Sequence, residues 1–346
     1  MKRLLRGGVR ALTATPERLL RASFGDPPRS DRGIEQDLHT HVLLSLMRLA
    51  KLGELHHLSP AKARHRFQAD GAAVDLPPTS LAEQRELEIP GPGGPLPARL
   101  YRPHAQAASL PVLLWFHGGG FVIGGLESHA SACACLASRI GCVVVAVDYR
   151  KSPEHKFPSA SDDALASLSW VRAHAAKLGV DPDRVAIGGD SAGANLCAGL
   201  CHRLRDADLP QPTVQALLYP MTQCNARFAS RTQFGEGALL TTKMIDWFHD
   251  HYLRGPEDAA NPLVSPLSAA RFDGLAPALI RTAGFDPLRD EGAAYADALR
   301  EAGVSVDYRC HERLIHGFLT MGGASPANKK AIFELGDDLA VALGRS

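Results

Sequence analysis

The sequence predicts an α/β protein: a mostly parallel central sheet with helices on both faces, together with a helical cap. Two observations lead to this class. Apolar runs of strand length alternate with stretches of helical periodicity through most of residues 110–310. Several of the runs, such as Cys142–Val147, are continuously apolar, which is typical of strands that are covered on both faces. The N-terminal region and one later insertion carry helical patterns without clear strands, and these are the predicted cap.

The composition limits the classes of partner. The chain has 346 residues, of which 45% are hydrophobic and 22% charged, with a formal net charge of +1. This balance is ordinary for a globular protein and gives no indication of a nucleic-acid partner. No apolar run approaches the roughly 18 residues of a membrane-spanning helix. We expect a small-molecule substrate, no nucleic acid and no stable membrane insertion, and we leave a homodimer open.

The cysteines indicate the redox environment. There are seven of them, an odd number scattered through apolar segments, which predicts reduced thiols in a cytoplasmic protein. Cys197 and Cys201 lie four residues apart on one predicted helix. Because no His or Cys cluster accompanies them, they are interpreted as small core residues. We expect neither a metal nor an organic cofactor.

Residues 1–30 are predicted to form a basic N-terminal extension. Leucines are interleaved with arginines there, so no apolar core of signal-peptide length occurs. A partly helical extension is the favoured interpretation. A basic amphipathic segment that lies on a membrane surface is the alternative.

Residues 31–84 are predicted to form the N-terminal helical portion of the cap. Ser59 and Pro60 predict the start of a second helix there, since proline suits the first helical turn. An apolar stripe precedes it at helical spacing: Leu38, Val42, Leu46 and Leu49, widened by Leu43 and Met47. The stripe either packs on the sheet or faces a substrate. We favour packing, because helical apolar stripes are usually core.

Residues 85–346 are predicted to form the main domain, with a cap insertion around 221–273. A β-hairpin is expected over residues 86–101. Further strands are predicted at Val112–Phe116, Cys142–Val147, Val185–Ile187, Val214–Leu218, Ala278–Thr282 and Val304–Tyr308. Helices are predicted at His129–Ile140, Ser161–Leu178, Ala192–Arg205 and Asp290–Ala302.

A Gly-x-Ser-x-Gly segment joins one predicted strand to the following helix. Such a turn can hold its central residue in a strained conformation with the side chain exposed. Gly189 and Gly193 allow the strand and helix to approach closely, and Ser191 lies at the tip. The pentapeptide alone also fits an ordinary glycine-rich turn, so other residues must decide.

Candidate partners follow other predicted strands. Ligands of open α/β sheets collect beyond the carboxyl ends of the strands. His117 and three glycines follow the first of these strands, Asp286 follows a later one, and His316 follows the last. A histidine can take the proton of a serine hydroxyl, and a carboxylate can orient that histidine. The glycine run offers backbone N–H groups that can stabilise an oxyanion.

With these motifs the chain resembles the hormone-sensitive-lipase-like family of serine esterases, which have the α/β-hydrolase fold. The matching segments are His117–Phe121, Asp148–Pro158, Gly189–Gly193, Asp286–Gly292 and His316–Phe318. The resemblance implies Ser191 as nucleophile, His316 as base and Asp286 as the acid that orients it. It also implies an oxyanion hole made by the N–H groups of Gly118, Gly119 and Ala192, and a helical cap over the pocket.

The predicted function is hydrolysis of short- to medium-chain carboxylic esters through an acyl-enzyme. An amidase, lactonase or deacetylase on the same three residues is the nearest alternative, because the fold does not separate these reactions. A non-catalytic ligand-binding protein of this fold is a further alternative, against which the presence of His316 argues. A lipase held at a membrane surface by residues 1–30 is another.

Overall fold

A computed structural model describes residues 12–50, 54–105, 109–237 and 239–345 of the chain. Eight strands form one sheet: Glu83–Gly91 (β1), Gly94–Arg102 (β2), Leu110–Phe116 (β3), Val143–Val147 (β4), Val180–Asp190 (β5), Val214–Leu218 (β6), Ala278–Phe285 (β7) and Val306–Ile315 (β8). Their order is β1-β2-β4-β3-β5-β6-β7-β8. The hairpin β1–β2 is antiparallel and joins β4 antiparallel, and all later pairs are parallel. The predicted sheet is confirmed.

Eleven α-helices have both ends within the described residues: Glu17–Phe24 (α1), Leu38–Leu49 (α2), Pro60–Val74 (α3), Leu126–Ile140 (α4), Ser159–Ala173 (α5), Ala175–Leu178 (α6), Ala192–Asp206 (α7), Ala229–Phe234 (α8), Thr242–Tyr252 (α9), Arg289–Glu301 (α10) and Pro326–Ala342 (α11). The predicted helix at 161–178 is two helices, because the chain leaves the helical path at His174. Helices α8 and α11 had no counterpart among the predictions.

The side chains of each central strand divide between two cores. In β3, Val112, Leu114 and Phe116 belong to one buried cluster, together with residues of α5, α7 and α10. Leu113 and Trp115 belong to the other, together with residues of α4 and α11. Since successive side chains of a strand point to opposite faces, a continuously apolar strand must be covered twice. This burial holds the carboxyl ends of the strands in place, where the candidate site lies.

The cap elements, residues 12–74 and 221–273 as far as they are described, are mainly helical. Helices α1 to α3 come from the N-terminal region, and α8, α9 and two short 3₁₀ turns come from the insertion. Asp37 begins α2, since its carboxylate accepts the N–H of Thr40 at 2.9 Å. Pro60 occupies the first turn of α3, as the sequence predicts.

The apolar stripe of α2 differs from the prediction. Leu38 and Val42 are buried, but they pack against Leu20 of α1 and not on the sheet. Leu46 lines a cavity, and the side chain of Leu49 is exposed, with 78% of its surface accessible. A second amphipathic helix covers the start of the stripe, and helical periodicity alone could not reveal that partner.

Of the predicted basic extension, residues 1–11 lie outside the described residues. The rest contains α1, whose Arg21 forms ion pairs with Asp26 and Glu35. In the described parts of the chain, no helix has the length and apolar character needed to cross a membrane.

Candidate active site

Ser191 lies at the turn between β5 and α7. Its backbone has φ 54° and ψ −116°, in a region that non-glycine residues rarely adopt. The N–H of Ser191 donates to the carbonyl of Leu218 on β6, at 2.9 Å. The neighbouring strand therefore holds the strained residue, as expected for strain at a functional site.

Two glycines make this turn sterically feasible. A Cβ on Gly193 would lie 1.9 Å from the carbonyl oxygen of Phe116, and one on Gly189 would lie 2.5 Å from the carbonyl carbon of Gly193. Any side chain would force β3, β5 and α7 apart. The spacing Gly-x-Ser-x-Gly thus has a direct steric cause in this structure.

Three of the predicted site residues meet behind this turn. His316 Nε2 lies 3.0 Å from Ser191 Oγ, and His316 Nδ1 lies 2.8 Å from Asp286 Oδ2. Asp286 is fully buried, and its other oxygen accepts the N–H of Leu288 at 2.8 Å. An ionised carboxylate only accepts hydrogen bonds, so it assigns the ring proton to Nδ1 and leaves Nε2 to accept from the serine hydroxyl.

The two other acids of the same segment have different partners. Asp290 accepts the N–H of Ser230 at 2.8 Å and pairs with Arg289. Glu291 is buried and accepts the N–H of Thr222 at 2.7 Å. Among the three acids, Asp286 is the one that contacts the ring of His316.

The structure corrects one predicted oxyanion donor. The N–H of Gly118 donates to Asp190 Oδ1 at 2.9 Å, so it is not available to an oxyanion. Gly118 lines the cavity beside Ser191 together with Gly119, Gly120 and Ala192, and its engaged N–H sets it apart from them. Gly119 and Gly120 have φ of 116° and 58°, which are conformations that favour glycine. Gly120 was not singled out in the sequence, because a run of three glycines does not reveal which of their N–H groups are free of partners in the fold.

The Asp190 carboxylate, which accepts the N–H of Gly118, has a second partner that holds it in place. The side chain of Asp190 is buried and also contacts His129 Nε2 at 3.0 Å. Burial alone would raise the pKa of this carboxyl, but His129 and the N–H of Gly118 outweigh it and hold the pKa below its usual range. His129 was not singled out in the sequence, where it is a lone histidine on a predicted helix.

The histidine before the glycines holds the loop. His117 Nδ1 lies 2.7 Å from the carbonyl oxygen of Gly118, and its ring stacks on Tyr149 with centroids 4.3 Å apart. The hydroxyl of Tyr149 donates to the carbonyl of His117 at 2.7 Å. Burial lowers the pKa of His117, which favours the neutral ring. These contacts fix the loop that carries Gly119 and Gly120.

A cavity of about 680 Å³ lies in front of Ser191, between the carboxyl ends of the strands and the cap elements. Its walls are largely apolar, with Leu46 and Phe67 from the N-terminal helices and Ile245 and Phe248 from α9. A concave apolar site with a few polar groups at one end is typical of small-molecule binding.

In the described residues, one cluster has the donor spacing of a metal site. Glu54, His56 and His57 place their donor atoms within 4.8 Å of one another. Glu54 already pairs with His57 at 3.0 Å, and none of the three is among the residues that line the cavity. The cluster therefore has no part in the site around Ser191.

Comparison with known proteins identifies the family. A family model described as the alpha/beta hydrolase fold matches residues 113–320. The chain belongs to the α/β-hydrolase family. This α/β hydrolase is similar to a carboxylic ester hydrolase, LipN, of Mycobacterium tuberculosis, with 49% identity over 287 residues that cover 75% of this chain and 76% of LipN.

This α/β hydrolase is also similar to a second ester hydrolase and to a solved structure of the same fold. An ethyl acetate hydrolase of Pseudomonas putida is 37% identical, over 79% of this chain and 87% of its own. An α/β hydrolase from the metagenome of Lake Arreo in Spain has a similar structure, with a TM-score of 0.86, 39% identity, and coverage of 88% of this chain and 98% of its own. The resemblance to hormone-sensitive-lipase-like esterases is confirmed.

Proposed function

We propose that this α/β hydrolase cleaves carboxylic esters through an acyl-enzyme formed on Ser191. One observation carries the assignment of residues: the chain of hydrogen bonds from Ser191 Oγ through His316 to Asp286, with lengths of 3.0 and 2.8 Å, at one end of an apolar cavity. The esterase activity of the relatives supports the reaction class.

His316 acts first as base and then as acid. Nε2 takes the hydroxyl proton while Ser191 Oγ attacks the ester carbonyl, and Asp286 stabilises the imidazolium that forms. The imidazolium then protonates the leaving alcohol as the bond from the carbonyl carbon to the alcohol oxygen breaks. Water repeats the sequence on the acyl-enzyme and releases the acid.

The oxyanion of each tetrahedral intermediate is assigned to the N–H groups of Gly119, Gly120 and Ala192. These residues line the cavity next to Ser191, and Ala192 follows it directly. Backbone donors held in place before the reaction stabilise developing charge without reorganising. Through its bond to Gly118, Asp190 keeps the loop in this conformation.

The proposed substrates carry short or medium acyl chains. The cap elements close the cavity to about 680 Å³, and methylenes that do not fit a fixed volume disturb its packing. The relative from Pseudomonas putida is named for ethyl acetate, an ester of a very short acid.

A panel of p-nitrophenyl esters of increasing acyl length, tested with wild type and Ser191→Ala, examines the proposal. We expect the highest kcat/KM at butyrate or hexanoate, and no turnover by the variant. A fluorophosphonate should label the wild type at one site and leave the variant unlabelled. Labelling that survives the substitution would overturn Ser191 as nucleophile, and a maximum at long acyl chains would overturn the length assignment. Anilides and lactones in the same panel test the amidase and lactonase alternatives.

We place the protein in the cytoplasm. All seven cysteines are free thiols, five of them buried, which is consistent with a reducing compartment. Analytical ultracentrifugation of the purified protein measures its molar mass and so tests whether it forms a homodimer.

A further inference from the structure

His249 is a polar side chain in the cavity wall that the proposed mechanism does not use. It belongs to α9 and lines the cavity together with Ser191 and His316. The other cavity-lining residues of the same helix are Met244, Ile245 and Phe248, all apolar. A hydrogen-bonding ring among apolar neighbours in a substrate cavity can select substrates.

Both ring nitrogens of His249 face sulfur atoms. Nδ1 lies 3.4 Å from Cys224 Sγ, and Nε2 lies 3.4 Å from Met221 Sδ. A thioether can only accept a hydrogen bond, whereas a thiol can also donate. The consistent arrangement has the ring proton on Nε2, directed at Met221, and the thiol of Cys224 donating to Nδ1.

The N–H of His249 therefore has a weak partner. Thioether sulfur is a poor acceptor, so a partly buried donor is left largely unsatisfied. Met221 itself lines the cavity and has an unbranched, adaptable side chain. An oxygen atom of a bound ligand can take the position of that sulfur and form a stronger hydrogen bond.

The ring is a neutral donor. Burial, with the nearby Arg231 guanidinium, lowers the pKa of His249 to about 4. A charged acceptor would lose its hydration in this apolar cavity without meeting an opposite charge on the ring. The apolar lining of the cavity and the neutral ring both favour an uncharged oxygen.

We propose that His249 Nε2 donates a hydrogen bond to a second, uncharged oxygen of the substrate, apart from the ester that is cleaved. The preferred substrates are then esters that carry an ether, keto, hydroxyl or further ester oxygen, and not pure hydrocarbon esters. This specificity rests on the proposed function, because it describes how the same site selects its ester.

The test compares matched pairs of esters in which one methylene is replaced by an ether oxygen. One series varies the position along the acyl chain of p-nitrophenyl esters, and a second varies the position along the alcohol of butyrate esters. The measured quantity is the ratio of kcat/KM within each pair, divided by the ratio of the alkaline hydrolysis rates. For wild type we expect a preference of about 3- to 10-fold for the oxygen member at one position, the range of one neutral hydrogen bond.

Three substitutions of His249 separate hydrogen bonding from packing. His249→Phe keeps a ring without a donor, and His249→Asn places its amide near the position of Nδ1, so both should bring the ratio to about 1. His249→Gln places its amide near the position of Nε2 and should restore the preference. Ile245→Val, on the same helix and in the same wall, is the matched control and should leave the ratio at the wild-type value.

A fourth variant tests the assigned partner. Met221→Leu removes the sulfur that faces Nε2, so the preference for the oxygen member should stay or increase. Equal ratios in wild type and His249→Phe at every position of both series would overturn the inference while ester hydrolysis still stands. Absence of hydrolysis of all esters by wild type would instead overturn the proposed function.

Discussion

Ser191 and Leu46 face the same cavity, but the fold holds them there by different means. Strand β5, which ends before Ser191, pairs with β3 on one side and β6 on the other. The N–H of Ser191 itself donates to a backbone carbonyl of β6. Leu46 lies on α2, which belongs to the cap elements. That helix is attached to the rest of the protein mainly through side chains.

Several attachments of the N-terminal cap elements are polar and partly exposed, beside apolar contacts such as those of the buried Leu44. Asp31 pairs with Arg289, Arg32 with Glu312, and Arg64 with Glu154. Ion pairs at such positions contribute little to stability, typically up to about 1 kcal/mol. The comparison indicates that backbone hydrogen bonds of the sheet fix the position of Ser191. The positions of the N-terminal helices that line the cavity depend mainly on side-chain contacts.

The largest expected effect concerns the acid of the site. We expect Asp286→Asn to lower kcat about 10⁴-fold, as loss of the equivalent carboxylate does in serine proteases. The reason is that an amide does not hold the required tautomer of His316. The thermal midpoint should change little, since asparagine can still accept the N–H of Leu288. Steady-state kinetics and circular dichroism measure both quantities.

Asp290→Asn is the matched control. Its carboxylate contacts Ser230 and Arg289, so kcat should stay within a few-fold of wild type. A greater loss of kcat in Asp290→Asn than in Asp286→Asn, with both proteins folded, would contradict the assignment of the acid.

The next largest effect is expected on the free energy of unfolding, where α7 packs against the sheet. Gly193→Ala should lower the free energy of unfolding by about 3 kcal/mol or more, the upper end of overpacking, because the new Cβ would lie 1.9 Å from the backbone oxygen of Phe116. Urea unfolding measures this change. A variant with wild-type stability would show that the strand and helix can separate there without loss.

A glycine in the cap should respond in the opposite direction. Gly71 lies inside α3, and a Cβ there would meet no atom within 4 Å. Gly71→Ala should raise the free energy of unfolding by about 0.5–1 kcal/mol, since alanine loses less backbone entropy in a helix. Destabilisation in the same urea experiment would mean that the wall of the cavity is more tightly packed than this space indicates.

Glu291 connects the core to the start of the insertion and should make stability depend on pH. Burial raises the pKa of this carboxyl to about 8, although the N–H groups of Thr222 and Gln223 oppose the rise. A raised folded-state pKa gives stability that is complete below about pH 4.5, the ordinary value, and is lost as pH rises through about 8.

Glu291→Gln should therefore remove part of the alkaline loss of stability. The difference in free energy of unfolding, wild type minus variant, should decrease steadily between pH 5 and 9 in urea titrations. Glu301→Gln, which replaces an exposed carboxyl at the end of the same helix, is the matched control. A flat difference for Glu291→Gln would mean that this carboxyl does not titrate in that window.

The smallest change in the free energy of unfolding is expected where α10 contacts the N-terminal cap elements. Asp31→Asn removes an ion pair with Arg289, but Arg289 keeps Asp290 as partner and lies 5.1 Å from the ring centroid of Phe234. The free energy of unfolding should fall by less than about 1 kcal/mol. A loss of several kcal/mol would show that this junction is as firmly coupled as the sheet.

The sequence alone determined the sheet and the order of its functional residues. Continuously apolar runs such as Val143–Val147 are typical of strands that are covered on both faces, so the pattern can be recognised locally. The Gly-x-Ser-x-Gly spacing indicated the turn at Ser191, although the atom that excludes a side chain at Gly193 belongs to Phe116 of β3. Asp286 and His316 could be placed since each comes a few residues after a predicted strand, and the observed strands β7 and β8 end immediately before them.

Only the tertiary structure decided which groups meet across the chain. Gly118 and Asp190 are 72 residues apart, and their hydrogen bond removes one of the predicted oxyanion donors. The burial of Leu38 depends on α1, and the sulfur contacts of His249 depend on how α9 packs against the start of the insertion. Periodicity and motif spacing describe a residue's own element, whereas a hydrogen bond or a buried face depends on which other element lies against it.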